Sequence, residues 1–319
     1  MDFTISSTYD GRPLRSYLNG ELHLSTRLLR ALKQHPRGMC LNGEHATVRA
    51  VLHTGDLLHL AIEEITPSQP GIILPVAPTV PLPILYEDED VIVCAKPPYM
   101  PTHPSHGHFT DTLANALAAY ELQKGRTEPF VFHPVNRLDR NTSGIVLVAR
   151  HALAAQRLGE AMARGQIKKT YLALLRGVPT PPKGRITTGI RRAEQSIILR
   201  QVTPLGAPGA ADAQTDYRLL HTFPSPALPS QMPLSLVCAM PLTGRTHQLR
   251  LHFAHIGTPI LGDDWYGDGI LPGVLERHAL HSYQLTFPHP RTHEAVTLHA
   301  PLPPDLASLL PSDFNFINQ

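Results

Sequence analysis

The segment Asn136-Arg137-Leu138-Asp139-Arg140-Asn141-Thr142-Ser143-Gly144 runs straight into the apolar stretch Ile145 to Ala149. The apolar stretch reads as a buried strand, and the polar segment as the turn that leads into it. An aspartate between two arginines has a physical consequence, because both neighbours favour its ionised form. Asp139 is therefore expected to be a carboxylate at neutral pH, suited to nucleophilic attack or electrostatic support rather than proton donation. An aspartate in such a turn can equally cap backbone N–H groups, and the segment alone leaves both readings open.

Around this strand the pattern predicts an α+β unit. Val91 to Ala95, Thr170 to Leu175, Thr215 to His221 and Leu234 to Ala239 read as strands. Asp111 to Tyr120, Ala152 to Arg164 and His247 to Ile256 read as helices, the first with Leu113, Leu117 and Tyr120 on one side. Strands and helices mix without regular βαβ alternation, and no Gly-rich phosphate fingerprint follows a strand, which argues against a nucleotide-cofactor fold.

Upstream lies a smaller α/β unit. Arg12 to Leu18 predicts a short helix, and Ser25 caps a second one carrying Leu28, Leu29 and Leu32. Met39 to Leu41, Val48 to Leu52 and Leu57 to Ile62 read as strands, with Asn42-Gly43 as a two-residue hairpin turn. Thr66 to Tyr86 carries no charge but holds six prolines (67, 70, 75, 78, 81 and 83), so it reads as an extended linker and not as a membrane span. The expected domains are residues 1–65, a linker at 66–83, and a larger unit at 84–319.

With 319 residues, 42% hydrophobic and 17% charged, the chain is long enough for two domains and too apolar for charge-driven disorder. Its 32 prolines argue against a helical bundle. Three scattered cysteines (Cys40, Cys94, Cys238) form no CxxC pair, and the N-terminus has no signal-peptide pattern, so a reducing, cytoplasmic setting is expected. The net charge is only +2, yet charge is segregated. Between Arg137 and Arg200 thirteen lysines and arginines face three acids (Asp139, Glu160, Glu194), and Glu87-Asp88-Glu89-Asp90 concentrates acid elsewhere. Such segregation points to a polyanionic partner, nucleic acid first. His103, His106 and His108 lie in a Pro/Gly/Ser loop without metal-ligand spacing, so no metal is expected. His247, His252 and His255 read as packing or RNA contacts.

Two further segments carry chemistry. Lys168-Lys169-Thr170-Tyr171-Leu172-Ala173-Leu174-Leu175-Arg176-Gly177 places Tyr171 on the same strand face as Ala173 and Leu175, where it can fill a core or pack a base. Thr243-Gly244-Arg245-Thr246-His247-Gln248-Leu249-Arg250-Leu251-His252 makes a turn and a helix start, and either arginine could meet Asp139 in space.

The run NRLDRNTSG, KKTYLALLRG and LTGRTHQLRLHFAHIGTPILGDDWYG, with YEDEDVIVCAKPPYMPTHPS before it and AQTDYRLL within it, closely resembles the RluA-type pseudouridine synthases over about residues 84 to 305. LSTRLLRALK and CLNGEHATVRAVLHTGDLLHL are similar to the αL-type RNA-binding domain of a small-subunit ribosomal protein. The resemblance implies a mixed, mostly antiparallel central sheet flanked by helices and loops, and cofactor-free isomerisation of uridine to pseudouridine in rRNA or tRNA. It makes Asp139 the essential carboxylate, Arg250 the arginine that pairs with it, and Tyr171 the tyrosine that packs on uracil. Arg137 matches the residue that fills the space left by a flipped base, and Leu251 an apolar wall of the pocket. Arg140, Lys168, Lys169 and Arg245 are expected RNA contacts. The family's usual His is Asn136 here. A monomer with no membrane contact is expected. Two other readings are an inactive RNA-binding or ribosome-assembly protein on the same fold, and a glycoside hydrolase, which would need a second facing carboxylate.

Overall fold

The computed structural model describes residues 1–62, 73–126, 130–224 and 232–311. Residues 63–72 of the proline-rich stretch lie outside the described residues.

The N-terminal unit contains β1 (Asp2–Thr4), α1 (Leu14–Gly20), α2 (Thr26–Gln34), β2 (Met39–Leu41), β3 (Glu44–His45) and β4 (Leu57–Leu60), with the strands in the order β1-β4-β2-β3. Ser25 caps α2 by accepting the Leu28 N–H. Asn42 and Gly43 take φ of 51° and 87°, the left-handed pair that a two-residue hairpin requires. Val48 to Leu52, expected as a strand, is a loop. Its carbonyls serve the open N-terminus of α1 instead: Leu14 N–H donates to Ala50 (2.7 Å) and Arg15 N–H to Val48 (2.9 Å).

The larger unit is built on one eleven-stranded sheet. In chain order it comprises β5 (Ile84–Glu87), β6 (Val91–Lys96), α3 (Leu113–Gln123), β7 (His133–Pro134), β8 (Ser143–Ala149), α4 (Ala152–Ala163), β9 (Lys168–Arg176), β10 (Lys183–Arg192), β11 (Arg200–Thr203), β12 (Ala211–Phe223), β13 (Leu234–Pro241), α5 (Gln248–His255), β14 (Leu280–Pro288), β15 (Ala295–His299) and α6 (Pro304–Ala307). The sheet order is β11-β10-β12-β13-β9-β14-β8-β6-β5, with β15 on β14 and β7 on β8. All pairings are antiparallel except β14 with β8, so the sheet is mixed and mostly antiparallel.

Every residue of β8 is buried. Its alternation divides it between two cores: Val146 and Val148 pack with Leu113 and Leu117 of α3, and Ile145, Leu147 and Ala149 with Ala154 and Leu158 of α4. An unbroken apolar run is what a strand covered on both faces requires. The β14–β8 pairing needs close approach at Gly144, where φ is +113° and a Cβ would stand 2.2 Å from the Ser282 carbonyl oxygen.

Helix α4 also seats the N-terminal unit. Leu153 enters the core formed by Leu14, Leu28 and Leu58. Gln156 accepts the Ser25 N–H (2.8 Å) and donates to the His23 carbonyl (2.6 Å), clamping the start of α2.

Two core histidines are held neutral. His252 lies between the hydroxyls of Thr188 and Thr215, and His281 against Ser143 and the Ala300 carbonyl. Burial pushes both rings down to about 4. An unfolded imidazole binds its proton near pH 6.5, so the unfolded state binds more protons between about pH 6.5 and 4. Stability is therefore present above that window and is lost as pH falls through it, by about 3 kcal/mol per histidine. Urea unfolding at pH 7.0 and 4.5 checks this; an equal midpoint at both would contradict it.

Candidate active site

The loop from Asn136 to Thr142 precedes β8, and buried side chains fix its backbone at successive points. Asn136 donates to the Ile145 carbonyl (3.0 Å) and accepts the Leu147 N–H (2.8 Å), stapling the loop to β8. Thr102 Oγ1 donates to the Leu138 carbonyl (2.8 Å) and accepts the Leu138 N–H (3.3 Å). The Lys96 ammonium, at the end of β6 and 1% exposed, donates to the carbonyls of Pro97, Met100 and Arg140 at 2.9, 2.8 and 3.1 Å. Burial pushes it down to about 7, and the Asp139 charge pulls it back up. Arg277 donates to the Asn141 carbonyl (3.1 Å) and holds Asp305 of α6 in a two-point ion pair. His278 Nε2 meets Thr142 Oγ1 at 2.8 Å.

Between these anchors stands Asp139, half-buried at the wall of a cavity of about 680 Å³. Its carbonyl accepts the Thr142 N–H (3.1 Å), so the backbone makes the turn bond and the side chain is not a cap. Among the described residues the carboxylate makes no hydrogen bond and no ion pair.

Tyr171 lines the same cavity from β9, opposite Ser282 of β14. Burial pushes its phenol up to about 12, Asp139 adds to the shift, and a hydrogen bond from Ser282 opposes it. The hydroxyl therefore keeps its proton at neutral pH. Lys169 is two residues earlier on that face and also lines the cavity, its ammonium pushed down by burial. Arg137, Arg140 and Arg245 stand exposed at the wall, Arg140 donating to the Tyr99 carbonyl and Arg245 to that of Asp212.

Two expectations need correction. Arg250 reaches the cavity, but its guanidinium bonds to Asp263 (2.7 and 2.6 Å) and Asp264 (3.1 Å) rather than to Asp139, whose charge acts on it only through space. The reason lies in Gly262-Asp263-Asp264, which presents two carboxylates to one buried cation. Leu251 faces away into a small core with Ile190 and Ala213; Leu249, on the cavity side of α5, is the apolar wall. Lys168, expected as an RNA contact, is exposed and off the cavity, on the strand face opposite to Lys169, and nothing in this placement contradicts that expectation.

Sequence reasoning passed over Lys96, Thr102, Arg277 and His278, whose contacts with the loop span 36 or more residues in most cases. His103 also lines the cavity, while His108 pairs with Asp111. Among the described residues the convergent metal-type donors are Asp88, Asp90 and His289, and these are already engaged by Tyr86, His151 and Arg291.

A half-buried carboxylate without a partner among the described residues, in one cavity with a protonated phenol and a wall of cations, is an arrangement suited to acting on a polyanion. The profile of the family described as RNA pseudouridylate synthase matches residues 90–255. The RNA pseudouridine synthase YjbO of Bacillus subtilis is 38% identical over 291 residues, covering 91% of this chain and 96% of that protein. Ribosomal large subunit pseudouridine synthase D of Haemophilus influenzae is 34% identical over 250 residues, 73% of this chain and 71% of its own. The structure of human RNA pseudouridylate synthase domain containing 1 superimposes with a TM-score of 0.56 at 27% identity, over 76% of this chain and 94% of that one. The chain belongs to the RNA pseudouridylate synthase family. It is an RNA pseudouridine synthase, which isomerises uridine in RNA to pseudouridine.

Replacing Asn136 by Ala leaves the Leu147 N–H buried without a partner and the Ile145 carbonyl with only the long 3.5 Å bond from the Ser282 hydroxyl. The expected loss is about 2–4 kcal/mol in urea unfolding. A change under about 0.5 kcal/mol, the range of an ordinary surface substitution, would show that the staple is dispensable.

Proposed function

We propose that Asp139 carries out the isomerisation on uridines of ribosomal or transfer RNA, and the observation that carries this reading is its unengaged carboxylate inside the cationic cavity. The target base leaves its stack before the carboxylate reaches C1′ of the ribose, at a cost of about a few kcal/mol. Asp139 then adds to C1′ or removes a ribose proton, and either route releases N1 of the uracil. The detached base turns and bonds to C1′ through C5, which frees Asp139 or returns the ribose proton; the C5 proton then leaves to solvent and N1 takes one up, so the product is an isomer of the substrate. Tyr171 supports the uracil as a flat, apolar and protonated wall. Arg250, fixed by Asp263 and Asp264, supplies positive charge near Asp139 without occupying it.

Arg137 is exposed on the residue pair that flanks Leu138, where its guanidinium can enter the vacated stack and bond phosphate at once. Arg140, Lys169 and Arg245 hold the backbone, with Lys168 on the outer face, and affinity is salt-dependent in consequence. The unit at residues 1–65 is an αL-type RNA-binding domain, joined at 66–83 to the catalytic unit at 84–319. Arg27, Arg30 and Lys33 stand exposed on α2 and offer a second RNA contact. No described helix is long and apolar enough to cross a membrane. We place the protein in the cytoplasm as a monomer.

The test is tritium release from RNA labelled with 5-³H-uridine, which reports loss of the C5 proton. Asp139→Asn is expected to fold and bind RNA as wild type while losing at least about a thousandfold in rate. Release at the wild-type rate would remove Asp139 from the reaction.

A further inference from the structure

His247 precedes α5 with φ at +59°, a left-handed conformation uncommon for a residue with a side chain. Such strain persists where the surroundings fix it, and it gathers at working sites. Here the ring is 8% exposed, edge-on to Trp265 with centroids 5.1 Å apart, and tilted against Tyr266 at 5.6 Å. His247 lines the cavity, close enough to Asp139 for that charge to act on the ring. None of the roles assigned above uses it.

Its hydrogen bonds fix where its proton sits. Nδ1 lies 2.9 Å from the Tyr266 hydroxyl. That oxygen already accepts the Arg200 backbone N–H at 2.9 Å, and an amide can only donate. The hydroxyl proton has no other acceptor among the described residues, so it points at Nδ1. A neutral imidazole that accepts at Nδ1 carries its proton on Nε2. Burial favours the neutral ring. Nε2 itself has no hydrogen-bond partner among the described residues.

We propose that His247, locked in this tautomer by Tyr266, presents a fixed Nε2–H donor to the cavity and bonds a carbonyl oxygen of the extruded uracil. The inference rests on reading the cavity as the uridine site. Uracil offers two carbonyl acceptors, O2 and O4, and a donor that cannot turn into an acceptor suits either. The base meets His247 only after leaving its stack. Losing the bond therefore shifts the balance between stacked and extruded base, which lowers kcat and leaves overall RNA affinity, set by phosphate contacts, nearly unchanged.

The experiment compares His247→Phe, His247→Gln and Tyr266→Phe in the full chain, on bulk RNA labelled with 5-³H-uridine, with Asp139→Asn alongside. Phe and Gln bear a similar left-handed backbone cost, and only Gln keeps a donor. His247→Phe is expected to lower kcat about tenfold or more, with RNA Kd within about twofold of wild type. His247→Gln should stay within about threefold of wild type, and Tyr266→Phe, which keeps the ring but frees the tautomer, should lose about threefold or more. Equal losses for Phe and Gln would make His247 a packing residue, and a wild-type kcat for Phe would give it no role; either result overturns the proposal. If His247→Phe does not fold, an unchanged kcat for Tyr266→Phe overturns it instead. Should Asp139→Asn remain active, it is the reading of the cavity that fails, whatever the His247 variants show.

Discussion

The backbone around Asp139 is held residue by residue, and among the described residues nothing holds the carboxylate. Thr102, Lys96, Arg277 and His278 each fix one position of the loop, at Leu138, Arg140, Asn141 and Thr142 respectively. A buried polar network of this kind fixes geometry only when its members are satisfied. Lys96 meets that condition by offering its three donors to three carbonyls, whereas His278 Nδ1 and Asn141 Oδ1 are buried without a partner, so the network is satisfied only in part. In the role proposed for it, the carboxylate would meet a ribose without first leaving a partner, and preorganisation of that kind is where much of a catalyst's advantage arises.

Charge is arranged around that carboxylate with a division of labour. The cation buried beside it, Arg250, is tied to Asp263 and Asp264 and lies over the rings of Trp265 and Tyr266, at 4.9 and 5.1 Å. It shapes the local field and cannot swing onto a substrate. The exposed cations, Arg137, Arg140 and Arg245, pair with no carboxylate among the described residues, Arg140 and Arg245 each donating to one backbone carbonyl, which suits the phosphate contacts proposed for them. A chain with a net charge of only +2 thereby meets a polyanion with a positive wall and one negative centre.

Much of this was legible in the sequence because the relevant signals are local. The apolar run Ile145 to Ala149, the Ser25 cap and the Asn42-Gly43 turn each carry their structure in a few residues, and all three form as expected. Tyr171 and Lys169 share the cavity face because a strand alternates. Val48 to Leu52 misled because its alternation resembles a strand, while its carbonyls are taken up by a helix terminus a full unit-width back in the chain. Strand β10 carries too little apolar alternation to be assigned from local pattern, whereas β14 does alternate, at Tyr283, Leu285 and Phe287, and was passed over. The partners of Arg250 were hidden for another reason: pairing of one cation among several acids is decided by tertiary distance. The supports of the loop come from β6, from the segment before β14 and from α6, and no local pattern joins those places.

If Asp139 acts through the placement of its carboxylate, as proposed, Asp139→Glu is the variant that exposes it. The variant keeps the charge and the chemistry and extends the side chain by one methylene. A displacement of about 1 Å can cost about a hundredfold in rate. Tritium release from 5-³H-uridine RNA should fall by about that factor or more, with RNA affinity unchanged. A glutamate enzyme within about threefold of wild type would contradict the claim that the held loop, and not merely a negative charge in the cavity, makes the site.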